Sequence, residues 1–213
     1  MDRKTMEPNV NYQKELEKIL DGLGGARPRL LLHSCCGPCS SYVLVYLMDY
    51  FDITVYYYNP CIAPAEEYEH RKTVQQGLIR DLNAAGCNPI AYVEGPYEHE
   101  TFLRLVRGHE DDREGGERCH LCYEQRLAAA GAYAAEHGFD WFCTTLSVSP
   151  YKNAQLLNET GLRISQETGV PYLVSDFKKK NGYKRSIELS KEYGLYRQCY
   201  CGCEFSLRDV SQH

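Results

Sequence analysis

Of the 213 residues, 11 are cysteine, and most of these fall into three tight groups. Cys35, Cys36 and Cys39 form the first, Cys119 and Cys122 the second, and Cys199, Cys201 and Cys203 the third, while Cys61, Cys87 and Cys143 stand apart. A scattered thiol is ordinarily a small buried apolar side chain, which does not account for groups this close. Thiolates are soft ligands and nucleophiles, so the spacing points to metal binding or redox chemistry. Cys119 and Cys122 are three positions apart, which on a helix places both on one face, as two ligands of one ion require. Cys201-Gly202-Cys203 occurs incidentally in many chains and gains meaning only beside the other groups. Four thiolates suit zinc or an iron–sulfur cluster, and the number present exceeds one tetrahedral site, so two centres are expected.

Other chemistries fit parts of the pattern. Cys36-Gly37-Pro38-Cys39 has the letters of a thioredoxin redox motif between a strand and a helix, whose N-terminus lowers a thiol pKa. A thiol–disulfide oxidoreductase using Cys36 and Cys39 is therefore one reading, although Cys35 rather than Trp precedes the motif and the other grouped cysteines stay unused. A zinc that staples the tail to the core of an RNA-binding module is another. The chain has no G-x-x-x-x-G-K-[ST] loop and no G-x-G-x-x-G fingerprint. Its first strand runs into Cys-Cys-Gly-Pro-Cys instead of the Ser-Gly-Gly turn of ATP pyrophosphatases. The absence of a C-x-x-x-C-x-x-C run argues against radical SAM chemistry.

The elements that must carry these groups follow from composition and periodicity. Hydrophobic content of 43% and charged content of 25% are ordinary for a globular protein. No apolar run approaches the ~20 residues of a membrane helix, and Met1 to Lys18 lacks an apolar signal-peptide core. The chain therefore reads as soluble and cytoplasmic, with no membrane partner. Net charge of -5 excludes a globally basic nucleic-acid binder but leaves local patches open. Strands are predicted at 30–33, 53–58, 89–93, 139–146 and 172–174. Helices are predicted at 12–20, around 43–48, and at 66–85, 101–106, 119–137, 153–168 and 183–193, with a charged loop at 108–117. This alternation predicts an α/β fold, a Rossmann-like parallel sheet with helices on both faces. Ligands in such folds sit beyond the carboxyl ends of the strands. That edge receives the first cysteine group; the second opens a helix, and the third lies in the tail after the last helix. The expected organisation is an N-terminal helical extension (1–28), one catalytic domain with a Cys-rich end (29–207) and a short tail (208–213).

Further polar residues stand where a ligand would be met. Between 176 and 203, Lys178, Lys179, Lys180, Lys184, Arg185, Lys191 and Arg197 outnumber Asp176, Glu188 and Glu192. Interleaved with Tyr183, Tyr193, Tyr196 and Tyr200, they suit phosphate binding and base stacking, or equally a solvated face beside an amphipathic helix. Tyr58, Asn59 and Pro60 end the second strand, Thr144, Thr145 and Ser149 follow the fourth, and Lys152 with Asn153 opens a helix where anions bind readily. Capping or turn chemistry accounts for each of these as well. His33 is expected as a hydrogen-bonded core histidine.

Taken together, L-L-L-H-S-C-C-G-P-C-S (30–40), Y-N-P (58–60), E-E-Y-E-H-R (66–71), R-C-H-L-C (118–122), T-T-L-S-V-S-P-Y-K-N (144–153), G-Y-K-R-S-I-E-L-S (182–190) and Y-R-Q-C-Y-C-G-C-E-F-S-L (196–207) resemble the QueH-type epoxyqueuosine reductases. The resemblance runs in order from Leu30 to Leu207. It implies a fold similar to the adenine-nucleotide α-hydrolase-like group. It also implies reduction of epoxyqueuosine, at the wobble position of tRNA, to queuosine. The implied cofactors are a [4Fe–4S] cluster and a mononuclear iron, with no cobalamin and an electron donor that the sequence does not identify. The motif cysteines fall on Cys35, Cys36, Cys39, Cys119, Cys122, Cys201 and Cys203. Cys199 falls at a variable position and Cys61 where the family is expected to have Asn, so neither is expected as a ligand. Asp176 is the candidate acidic residue for the lone iron. The expected division gives Cys35, Cys36, Cys119 and Cys122 to the cluster and Cys39, Cys201 and Cys203 to the iron. Tyr58, Asn59, Lys152, Asn153, Lys178, Lys179, Lys180, Lys184 and Arg185 are the expected substrate and tRNA contacts.

Overall fold

A computed structural model describes residues 10–86 and 88–210. The first residues of the expected extension, Cys87 and the end of the 208–213 tail lie outside the described residues. Helix α1 (Tyr12–Gly22) starts where the Asn11 side chain accepts from the Lys14 N–H, and it buries Leu16 and Leu20. Strand β1 (Arg29–His33) follows. Its Leu30, Leu31 and Leu32 are all fully buried, as a central parallel strand covered on both faces demands. Strands β2 (Asp52–Tyr57), β3 (Ala91–Glu94) and β4 (Trp141–Thr144) complete a sheet of order β3-β2-β1-β4 in which every pair is parallel. Helices α2 (Gly37–Leu47) and α3 (Ala65–Ala84) make the first two crossovers, and α4 (His99–Leu105) with α5 (Glu117–Glu136) makes the third. After β4 come a 3-10 turn (Thr145–Val148), α6 (Ala154–Thr168), α7 (Gly182–Glu192) and α8 (Glu204–Val210).

Alternation along the strands decides which helices cover which face. Leu30, Leu32, Ile53 and Val55 pack with Leu16 of α1, Val43, Leu44 and Leu47 of α2 and Leu78 and Leu82 of α3. Leu31, Tyr56 and Phe142 point the other way, onto Leu127, Ala130 and Ala134 of α5 and Leu157 and Ile164 of α6. Each fully buried leucine contributes about 1.5–3 kcal/mol. The α/β fold with helices on both faces is as the alternation predicted.

Two expectations are corrected. The strand predicted at 172–174 is a single bridge, Phe142 to Tyr172. Pairing stops there because the Asn158 side chain takes both the N–H and the carbonyl of Ser175. The third cysteine group also does not end the chain after the last helix. It leads into α8, whose first turn is closed by Ser206 N–H donating to the Cys203 carbonyl.

The sheet order creates the crevice. The chain moves outward from β1 to β2 to β3, then returns to place β4 on the other side of β1. The connections leaving β1 and β4 therefore diverge, and ligands bind at such switch points.

Helix α7 lies against α2 through a glycine. A Cβ at Gly182 would fall 1.9 Å from the Phe177 carbonyl oxygen and 2.5 Å from the Tyr42 ring. Gly182→Ala is expected to cost at least ~1–3 kcal/mol, read as a lower urea midpoint at unchanged slope.

Candidate functional site

The loop leaving β1 is held from several sides. His33 is fully buried, with Nδ1 on Thr144 Oγ1 (2.9 Å) and Nε2 on the Tyr58 carbonyl (3.0 Å), so it joins the ends of β1, β2 and β4. Burial lowers its pKa to about 4 and keeps the ring neutral. The Asn59 amide donates to the Ser34 carbonyl at 2.8 Å. Ser34 and Ser40 hydroxyls both donate to Gln75 Oε1 of α3, at 2.7 and 2.6 Å. At Gly37 a Cβ would meet Val74 Cγ1 at 2.9 Å, so glycine lets α3 close over the loop.

This scaffold gathers the first cysteine group. The sulfurs of Cys35, Cys36 and Cys39 all lie within 4.8 Å of one another, with Cys35 and Cys36 3.7 Å apart. A tetrahedral ion with ~2.3 Å bonds holds its thiolates roughly 3.8 Å apart, so the trio can hold a metal. Cys36 has its pKa held well below the usual thiol range, first by hydrogen bonds from Cys35 and Cys39, then by the Arg71 charge and the Gln198 amide at 3.1 Å. The neighbouring Cys35 and Cys36 thiols, with burial, push Cys39 well up.

A second set of thiols lies behind the first. Cys119 and Cys122 from the start of α5, Cys201 and Cys203 from the segment before α8, and Cys61 from the loop after β2 line one small interior cavity. Cys201 and Cys203 sulfurs are 3.6 Å apart, and Ser206 Oγ is 3.0 Å from Cys201. The interaction between the Cys61 and Cys122 thiols, aided by the Arg126 charge, lowers Cys61 to about 7 and raises Cys122.

Cations crowd this cavity. Arg118 donates through Nη1 to the Glu110 carbonyl at 2.7 Å, yet its buried Nε and Nη2 have no partner. Arg126 donates through Nε to the Cys122 carbonyl at 3.2 Å, and its charge lies against Cys122, Cys61 and Cys35. Lys152, with only 10% of its side chain exposed, pairs with Glu114 at 3.5 Å. Buried cations with unfilled donors call for an anion. A thiolate-ligated centre supplies one, and soft thiolates select zinc, iron–sulfur clusters and similar metals.

Arg71 fastens the distant C-terminal thiols to this place. Its Nη1 donates to the Cys201 carbonyl (3.0 Å) and Nη2 to the Tyr200 carbonyl (3.4 Å), while Nε pairs with Glu67 at 2.7 Å. Ala63 N–H donates to the Gly202 carbonyl at 2.9 Å. Gly202 has φ 122°, and a Cβ there would meet Ile62 and Arg71 at 2.9 Å. A surface cleft of about 230 Å³ then opens on Cys35, Cys39 and Cys201, walled by Glu114, Lys152, Arg197 and Gln198.

The sequence-predicted residues divide by position. Six of the seven motif cysteines line the cleft or the cavity behind it, and the seventh, Cys36, has its sulfur within 4.8 Å of those of Cys35 and Cys39. The expected division set Cys39 apart from Cys35 and Cys36, whereas the geometry keeps the three together. Tyr58 and Asn59 are buried and brace the cysteine loop from below. Asn153 is the N-cap of α6, accepting from Leu156 N–H at 3.2 Å. Asp176 lines neither the cleft nor the cavity and pairs with Lys178 at 2.8 Å. Lys180 pairs with Glu17, and Arg185 with Glu188 and Glu192. Lys179 and Lys184 are exposed, and no carboxylate within ion-pair distance is found for them among the described residues. Sequence reasoning missed Arg118, Arg126, Gln198 and Glu114. Three had a local signal: Arg118 adjoins Cys119, Arg126 is one helical turn past Cys122, and Gln198 adjoins Cys199.

The sequence as a whole is similar to that of known proteins. The profile of the family described as epoxyqueuosine reductase QueH matches residues 30–209. The epoxyqueuosine reductase QueH of Staphylococcus aureus is 44% identical over 207 residues, covering 95% of this chain and 86% of its own length. That of Streptococcus pyogenes is 42% identical, covering 95% and 81%. That of Thermotoga maritima is 34% identical over 181 residues, covering 84% and 90%.

Removing the Arg71 anchor leaves Glu67 without its counter-charge, with the Tyr196 hydroxyl still donating to it, and releases two carbonyls. Arg71→Met is expected to cost about 3–5 kcal/mol. Amide hydrogen exchange should rise first across 199–203, ahead of the sheet; unchanged protection there would contradict the anchoring role.

Proposed function

Since the chain belongs to the QueH family of epoxyqueuosine reductases, we propose that it reduces epoxyqueuosine in tRNA to queuosine, removing the epoxide oxygen with two electrons and two protons. The observation that carries this reading is the thiol trio at the switch-point crevice, open to a cleft and backed by a second thiol-lined cavity. We assign the seven motif cysteines to a [4Fe–4S] cluster and a neighbouring single iron. Cys119, Cys122, Cys201 and Cys203 would hold the cluster, and Cys35, Cys36 and Cys39 the single iron. Two features support this division. The trio has the spacing of ligands to one ion, whereas Cys119, Cys122, Cys201 and Cys203 come from two segments and line one cavity together. The unpartnered N–H groups of Arg118 and the charge of Arg126 suit the more anionic cluster. When bound, the two groups supply single electrons from the buried side and a Lewis acid at the cleft.

The protein's own residues do the rest. Lys152 lines both the cleft and the cavity, so its ammonium stands where negative charge would develop on the opened ring. Glu114 orients it from the cleft wall. Asp176 acts at a distance, by fixing Lys178, which also reaches the Lys152 carbonyl at 3.4 Å. Lys179 and Lys184 are the free cations that would position phosphate, with Lys178, Lys180 and Arg185 contributing less because carboxylates already engage them. Tyr151, 75% exposed at the cleft rim, offers a face on which an anticodon base can stack. Residues 29–207 supply every part of this site, and we take them as the catalytic domain. Action on tRNA fits a cytoplasmic enzyme, and no helix among the described residues is long and apolar enough to cross a membrane.

Protein purified without oxygen is expected to be brown, with absorption near ~400 nm and about four or five irons per chain. It should convert epoxyqueuosine-containing tRNA in the presence of a reductant, and Cys119→Ser should lose the cluster iron. A protein that stays colourless after reconstitution, or loaded protein that leaves the epoxide intact, would overturn the reading.

Affinity for tRNA should fall steeply with salt. Replacing both Lys179 and Lys184 by Ala should flatten the log–log slope by roughly 1.4–1.8, at about 0.7–0.9 per phosphate contact. A slope that does not change would remove those two residues from the interface.

A further inference from the structure

Cys61 stands outside the seven cysteines assigned above, yet it is buried in the wall of the same cavity as Cys119, Cys122, Cys201 and Cys203. Its thiol interacts with another thiol, that of Cys122, which lines the same cavity. Cys143 shows the contrast of an ordinary core thiol: it lies on β4 and donates to the Leu173 carbonyl at 3.1 Å. The backbone around Cys61 is pinned on both sides. His99 Nδ1 meets the Pro60 carbonyl at 2.8 Å, Tyr97 donates to the Ile62 carbonyl at 2.7 Å, and Ile62 N–H donates to the Asn59 carbonyl at 3.2 Å. Cys122 is equally fixed, on the second turn of α5. Two immobile sulfurs thus share one corner of a cavity lined by further thiols, and the Arg126 charge lies against both.

We propose that Cys61 is a ligand of the buried metal centre, able to hold the corner it shares with Cys122. The inference rests on the reading of the preceding section, that this cavity takes an iron–sulfur cluster. Because the two thiols are already side by side, exchange of one for the other requires rotation of side chains and no movement of the backbone. Neither a serine oxygen nor water offers iron the soft donor that a second cysteine does.

The test compares wild type, Cys122→Ala and the Cys61→Ala/Cys122→Ala double variant. Each is reconstituted without oxygen using ferrous iron and sulfide, and read by iron and sulfide content and by electron paramagnetic resonance of the reduced protein. Cys122→Ala is expected to keep more than half of the cluster iron, with an altered resonance spectrum. The double variant should fall to about the single iron of the trio. Cys122→Ala protein as depleted as the double variant overturns the proposal. A second readout avoids the double variant altogether. In loaded Cys122→Ala protein, Cys61 should resist iodoacetamide and become reactive once a chelator strips the iron; equal labelling in both states also overturns it. A wild type that takes up no iron and sulfide instead refutes the cluster reading itself, and the inference falls with it.

Discussion

Arg71, Arg118 and Arg126 carry full charges into the interior, where each is almost completely buried. An unmet guanidinium there would cost several kcal/mol, so the groups that meet these three decide how remote parts of the chain come together. Arg71 draws the 200–202 segment onto α3 and sets its charge beside Cys36. Arg126 fixes the start of α5 through the Cys122 carbonyl and faces sulfur from two other segments. Arg118 clamps the 109–110 turn and leaves two donors unfilled. Arg71 is already met by Glu67 and two carbonyls, so the open donors are those of Arg118, and a site that becomes more negative when loaded would fill them. The carbonyls that Arg71 takes are what hold the C-terminal segment beside the other cysteine groups.

The Rossmann-like frame explains why this happens at the end of β1. In nucleotide-binding relatives of that frame, a glycine-rich turn and a helix N-terminus cradle phosphate. Here the same turn is Cys35-Cys36-Gly37-Pro38-Cys39, and α2 begins immediately after Cys36. The partial positive charge of a helix N-terminus favours a thiolate as it favours a phosphate. Cys36 is also the thiol held lowest within the trio, with neighbouring thiols and the Gln198 amide donating to it. The position that holds a phosphate in nucleotide-binding proteins of this frame is here occupied by thiols.

How much of this was legible in the sequence depended on the range of each interaction. Strand and helix alternation revealed the parallel sheet, because Leu30, Leu31 and Leu32 could be apolar in succession only on a strand covered twice. Cysteine spacing revealed the site, since ligands on one turn or helix are neighbours in sequence. Cys61 was set aside because it stands where the family is expected to have Asn and a lone thiol has no pattern; its place in the cavity wall beside Cys122 is set by a different element. Glu114 looked like one charge in a charged loop; only the cleft shows that it faces Lys152. In the lysine-rich stretch, local counting gave an excess of basic residues but could not show which of them are paired. Glu17, from the N-terminal helix, answers Lys180 across the chain, and no window around residue 180 contains it.

That neutralisation bears on how a nucleic acid would be gripped. With Lys178, Lys180 and Arg185 paired to carboxylates, the positive field at the surface is weaker than the sequence implies, and the positive charge that remains near the cysteines is concentrated at Lys152 and Arg197 inside the cleft. Surface phosphate contacts orient a tRNA but do not choose a base. Selection then rests on what can enter a cleft of about 230 Å³ whose floor is Cys35 and Cys39 and whose rim carries Tyr151. A base still stacked in a helix cannot reach that floor, whereas an unstacked anticodon base can be held against an aromatic ring. Under the proposed function, shape and stacking, more than net charge, are what this surface would bring to recognition of tRNA by an acidic protein.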